Sequence, residues 1–154
     1  MADIKLAILV VASATILPGA FAQAPTEPAD KATWMKANGS YDAGNILFNS
    51  KKYKEAEAKY REAIELWPND WHYHYNLALA LKHSGRGADA VVEFRKTIEF
   101  NEKHWQSWKA LGNTYWRLGK YADAKTAFEN AIKYGAPPGD VAEMKKGIAA
   151  CNAR

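Results

Sequence analysis

Histidines, one cysteine and a thin scatter of serines are the side chains here with the reactivity for nucleophilic, acid-base or metal chemistry, and their spacing does not assemble them. His72 and His74 stand two residues apart, which on a helix separates them by about 200°, so they cannot readily share a metal ion. His74 falls on a packing position. His72 and His83 fall on the opposite side, where each either meets a ligand or stays solvated, and His104 sits at a helix start. Ser40, Ser50, Ser84 and Ser107 have no evident base beside them, and no GxSxG, HExxH, Walker or dinucleotide signature is present. Cys151 lacks a CxxC or CxxCH context and any internal disulfide partner. It either packs the last helix or makes an intermolecular disulfide in an oxidising compartment. No catalytic residue, no metal and no cofactor are therefore expected.

The elements that carry these residues are set by a period. Ala56, Ala90 and Ala124 recur at one spacing, and so do Ile64, Ile98 and Ile132, and the aromatics Tyr60, Phe94 and Phe128. One supersecondary unit of 34 residues is being stacked. Gly44, Ala78 and Gly112 would lie on the first helix of each unit and Ala56, Ala90 and Ala124 on the second, letting paired backbones approach closely while larger side chains fill the rest. A single pair leaves an apolar face uncovered, so about three copies and a polar end are needed.

The third copy carries Trp108, Leu111-Gly112, Tyr115, Ala124, Phe128 and Ala131. This resembles the tetratricopeptide repeat (TPR), a helix-turn-helix with an aromatic, Leu-Gly, Tyr, Ala and Phe at those offsets. The first copy aligns Ser40, Ala43-Gly44, Leu47, Ala56, Tyr60 and Pro68; the second aligns His74, Leu77-Ala78, Leu81, Ala90 and Phe94. Ser40 and His74 depart from the family's Trp, and Glu102 from its Pro. The resemblance implies an all-α fold: an α-solenoid of three helix-turn-helix pairs, within 36–136 (37–70, 71–104 and 105–138), plus a C-terminal capping helix over 137–154. Asp140 and Glu143 are expected to act as N-cap and capping-box partner of that last helix.

The resemblance also implies where a ligand would lie, because in this family the first helix of each pair lines a concave groove. The inward positions fall on Tyr41, Asn45 and Phe48 in the first copy. They fall on His72, Tyr75, Asn76 and Lys82 in the second, and on Lys109, Asn113, Trp116 and Arg117 in the third. Asn45, Asn76 and Asn113 would donate to and accept from an extended backbone. Tyr41, Phe48, Tyr75 and Trp116 offer apolar faces, and Lys82, Lys109 and Arg117 offer positive charge; aromatics and Arg dominate binding energy at interfaces. Phe48 and Trp116 are alternatively covered by a neighbouring helix. Chaperone-binding members of the family grip a terminal carboxylate with a clamp of Lys, Asn, Asn, Lys and Arg. Asn45 and Asn76 match it, but Tyr41, Gln106 and Ala110 stand where the cations belong, so that clamp is not expected here.

At the N-terminus, LAILVVASATIL followed by Ala20-Phe21-Ala22 has the form of a secretory signal peptide over 1–22, cleaved after Ala22, with an uncleaved anchor as the alternative. Its apolar core is short for a membrane span, so no span is expected after cleavage. The proline-containing stretch 23–35 reads as a linker. The rest has ordinary globular composition, and 21 basic residues interleave with 17 acidic ones, so no basic stripe for nucleic acid forms. The expectation is a periplasmic or otherwise exported protein-protein interaction module. It would act as an adaptor or assembly subunit holding an extended segment or a helix of a larger partner in its groove. The alternative is a structural subunit of a large complex, or a homo-oligomer, packing through Trp34, Trp67 and Trp105 on its outer surface.

Overall fold

The computed structural model describes residues 30–153. The expected signal peptide and most of the linker lie outside the described residues. Within them the chain forms α1 (Lys31–Asn49), α2 (Tyr53–Leu66), α3 (Trp71–His83), α4 (Gly87–Phe100), α5 (Trp105–Arg117), α6 (Tyr121–Lys133) and α7 (Pro138–Asn152), with no strand. α1 pairs with α2, α3 with α4 and α5 with α6; the pairs stack through α2 on α3 and α4 on α5, and α7 packs on α6. The architecture is the expected all-α solenoid.

The small residues explain why each pair closes. A Cβ on Gly44 would come within 2.5 Å of the Tyr60 ring, and one on Gly112 within 2.6 Å of the Phe128 ring. Aromatic plugs therefore sit directly on glycine backbone. Ala78 and Phe94, one period on from Gly44 and Tyr60, are both completely buried in one cluster, and Ala56, Ala90 and Ala124 are likewise completely buried. The turns inside the pairs share one geometry. Lys51, Gly85 and Gly119 have φ of 60°, 80° and 74°, and the next amide in each turn (Lys52, Arg86, Lys120) reaches back 2.9 Å to Leu47, Leu81 and Tyr115 carbonyls. This left-handed closure favours glycine, and Lys51 adopts it without being one.

The second repeat solves the missing Trp at position 74 with a different ring. In the third repeat Trp108 Nε1 donates to the Glu102 carbonyl at 2.8 Å; in the second, His74 Nε2 reaches the Pro68 carbonyl, one period earlier, at 2.9 Å. The imidazole's other nitrogen lies 2.7 Å from Glu93 Oε2 on α4, with both residues buried. His74 is thus a structural residue that ties three segments together.

Three expectations need correction. α1 starts at Lys31, inside the stretch assigned to the linker, because Asp30 accepts from the Ala32 and Thr33 amides at 3.0 and 3.2 Å and from the Thr33 hydroxyl. α7 starts at Pro138, whose fixed φ and missing N–H suit the first helical position. Asp140 is consequently in the first turn rather than the N-cap. Finally, Trp67 and Trp105 are half-buried, with Trp67 packed against the cluster of Ala37, Ala63 and Tyr73, so of the three tryptophans named for the outer surface only Trp34 is exposed.

Candidate functional site

The first helices α1, α3 and α5 carry a continuous polar and aromatic surface, and its centre is a hydrogen-bonded network between repeats one and two. Tyr60 donates to Asn45 Oδ1 at 2.9 Å. Asn76 Nδ2 donates to the Tyr41 hydroxyl at 2.7 Å and to Asn45 Oδ1 at 3.4 Å. Two donors converge on the Asn45 oxygen, and two acceptors share the Asn76 amide nitrogen. What remains is the Asn45 NH2 as donor and the Asn76 carbonyl as acceptor, neither with another partner among the described residues. Such a pair complements the C=O and N–H of an extended backbone. Burial pushes the Tyr60 hydroxyl well above its ordinary range, with Tyr41 adding to the shift, so it stays protonated and donating.

The aromatics divide their surfaces between packing and groove. Tyr41 is half-buried, its ring 5.1 Å from Tyr73 and 6.0 Å from Tyr60. Tyr73 donates to Asn38 Oδ1 at 3.0 Å, and burial, then Asp70, push its hydroxyl up to about 12. Phe48 meets Tyr53 and His83 edge-on, at 5.3 and 5.5 Å; Trp116 meets Tyr121 at 4.9 Å. Both rings are half-buried, Phe48 between its own repeat and His83 of the next, and Trp116 against the cluster that includes Met144 of α7. Tyr75 packs on Phe94 and takes His104 edge-on at 4.9 Å. His72 is exposed at the start of α3, its Nδ1 2.7 Å from Asp70, the residue that caps that helix. His104 holds Ser107 at 2.7 Å and is pushed down by burial and by His72.

The three groove cations differ sharply. Lys109 is not the open charge expected of it: its Nζ lies 2.5 Å from Asp140 and 2.7 Å from Glu143, both on α7. Hydrogen bonds to those carboxylates hold the ammonium above its ordinary range. Asp140 and Glu143 stand one period after Gln106 and Lys109, so α7 occupies the place of a fourth first helix and turns acidic side chains toward the groove. The period alone could have revealed this pairing. Asn113 and Trp116 line a small cleft closed on its far side by Glu143, Met144 and Gly147 of α7. Lys82 is half-buried and Arg117 exposed, and the two line a common cleft. No group of three or more His, Cys, Asp or Glu placed to hold a metal occurs among the described residues, nor any helix long and apolar enough to cross a membrane.

This fold defines a helical-repeat domain. Tetratricopeptide repeat family models match residues 41–101 and 105–135, and the chain belongs to that family. It is 30% identical over 120 residues to small glutamine-rich tetratricopeptide repeat-containing protein 2 of Mycosarcoma maydis, covering 78% of this chain and 32% of that protein. The chain spans about a third or less of the curated relatives it matches. Among solved structures, the first TPR of Spaghetti (RPAP3) bound to an HSP90 peptide superposes with a TM-score of 0.72 at 22% identity, covering 78% of this chain and 95% of that one. The Yersinia enterocolitica type III secretion chaperone SycD, in complex with a peptide of the translocator YopD, gives 0.73 at 13% identity, covering 80% and 98%. At these identities the likeness is one of fold.

Proposed function

We propose that this chain is a non-enzymatic protein-interaction module that holds an extended segment of a partner protein in the groove formed by α1, α3 and α5. The observation that carries the reading is the oriented pair at Asn45 and Asn76. Their outer hydrogen-bonding groups are left over as one donor and one acceptor, flanked by the half-buried rings of Tyr41, Tyr75 and Phe48. Structural neighbours solved in complex with peptides of HSP90 and YopD support a peptide as the kind of ligand for this groove. The signal-like N-terminal sequence supports a role in the periplasm or another exported compartment, with the mature chain starting at Gln23. Replacing Asn45, Asn76 and Asn113 together with Ala tests the groove. Capture of the partner from a native envelope extract is expected to fall while the circular dichroism spectrum is unchanged; undiminished capture would defeat the assignment.

A second reading uses the free edge of the stack. Met35 and Ile46 on α1 are 59% and 68% exposed and eleven residues apart, hence on one stripe of the helix, with Trp34 beside them. A self-associating or complex-embedded protein would bury this edge. Light scattering on the mature chain separates the readings, since a monodisperse monomer argues against self-stacking.

A further inference from the structure

Lys82, in the last turn of α3, and Arg117, in the last turn of α5, line one cleft of about 130 Å3 with Gly85, Gly87 and Thr114. Of the other half-buried lysines, Lys59 and Lys96 each hold a carboxylate and Lys109 holds two, while among the described residues Lys125 on α6 holds none but shares no cleft with a second cation. Lys82 and Arg117 have no such partner among the described residues, and they repel one another: burial, then Arg117 and Lys109, hold the Lys82 ammonium below its ordinary range. His83 is pushed down by burial, Lys82 and Arg117. The dipoles of α3 and α5 account for one exposed cation at each helix end. They do not account for two cations sharing a cleft, one of them half-buried, since a cation withdrawn from water without a partner is destabilising. The Thr114 hydroxyl is committed to the Ala110 carbonyl at 2.7 Å, so the cleft offers charge rather than a neutral donor.

We propose that the cleft between Lys82 and Arg117 is a carboxylate site that takes an Asp or Glu side chain of the segment held in the groove. This rests on the groove reading above, and it fixes the charge register of the bound segment. The carboxylate is bridged by the two cations at the turn end of α3 and α5, whereas the acidic pair of α7 repels acidic residues from the far side of Lys109. A cleft of this size holds one carboxyl group; it is open at Gly85, while the Leu118 side chain lies against Gly87 and forms its apolar wall. Neither cation occupies a position of the carboxylate clamp that the sequence lacks.

The test titrates the full-length protein with an acetylated, amidated Gly-Glu octapeptide and with its Gly-Gln counterpart, following the Arg117 Nε–H and Lys82 Cε signals by NMR. The Gly-Glu peptide is expected to bind and to shift both signals. Its affinity should fall about tenfold or more in the Lys82→Gln, Arg117→Gln double variant. Equal binding of the two peptides, binding of neither, or an unchanged double variant overturns the proposal. Displacement by equimolar inorganic phosphate overturns it too, because the site would then serve free anions. An Asn45→Ala, Asn76→Ala variant separates the two readings. If it weakens both peptides while the cation variant weakens neither, the groove stands and the cleft falls. If only the cation variant matters, the cleft stands and the groove falls. Lys82→Gln alone should raise the Tm, by removing a repelled, half-buried charge; a lowered Tm would mark Lys82 as a structural cation and overturn the proposal.

Discussion

The Tyr60 hydroxyl on α2 donates to Asn45 Oδ1 on α1 at 2.9 Å, so a buried ring fixes which end of a groove amide faces a ligand. Tyr60→Phe removes that constraint and leaves the ring packed on Gly44. The expected result is a loss of about 1 kcal/mol in stability, as for one hydrogen bond, together with several-fold weaker partner binding. Urea melts and a binding isotherm on the same sample check both.

Neutralising the acidic face of α7 should make the groove more cationic. Asp140→Asn with Glu143→Gln releases Lys109 from its two partners. Binding of the Gly-Glu peptide is expected to tighten by a few fold and to weaken more steeply with added salt, since open charges are screened. Titrations at low and physiological ionic strength measure the slope.

Glu93 gives the domain an acid-side weakness. Burial alone would raise its carboxyl, but hydrogen bonds from His74 and Lys96 outweigh burial and hold it below the ordinary carboxylate value. The unfolded chain, with a carboxyl near about 4.3, therefore takes up the proton first as pH falls. The stabilisation is fully present above about pH 5 and is lost as pH drops through the lower, folded value. Glu93→Gln should flatten that acid limb, seen as a smaller change in urea midpoint between neutral and acid pH than in the wild type.

Lys51→Gly should stabilise the first turn. Lys51 adopts φ 60° where its counterparts Gly85 and Gly119 are glycines. Relief of the left-handed strain, less the extra freedom of the unfolded chain, predicts a gain of about 0.5–1 kcal/mol. A differential scanning calorimetry trace should show the Tm rising by a few degrees.

The architecture is readable because the positions that build it repeat: the Gly and Ala contacts, the isoleucines Ile64, Ile98 and Ile132, and the aromatic plugs each show three times. The site was read less completely, because its geometry comes from contacts between repeats that no single copy contains. Asn45 and Asn76 could be named, but not that Tyr60 and Tyr41 orient them, since those contacts bridge elements distant in sequence. Lys109 reads as open charge from sequence because a capping role absorbs Asp140 and Glu143; Pro138 starts the helix early and frees both to face the groove. His74 was placed as a packing residue, whereas Glu93 as its partner needed the α3 to α4 register.

The central claim is that the partner lies on α1, α3 and α5, and site-specific photocrosslinking tests it most directly. A photoreactive side chain placed at Gln106, exposed on α5, is compared with one at Val92, exposed on α4. The groove account predicts partner crosslinks from Gln106 and none from Val92; crosslinks from Val92 alone would contradict it.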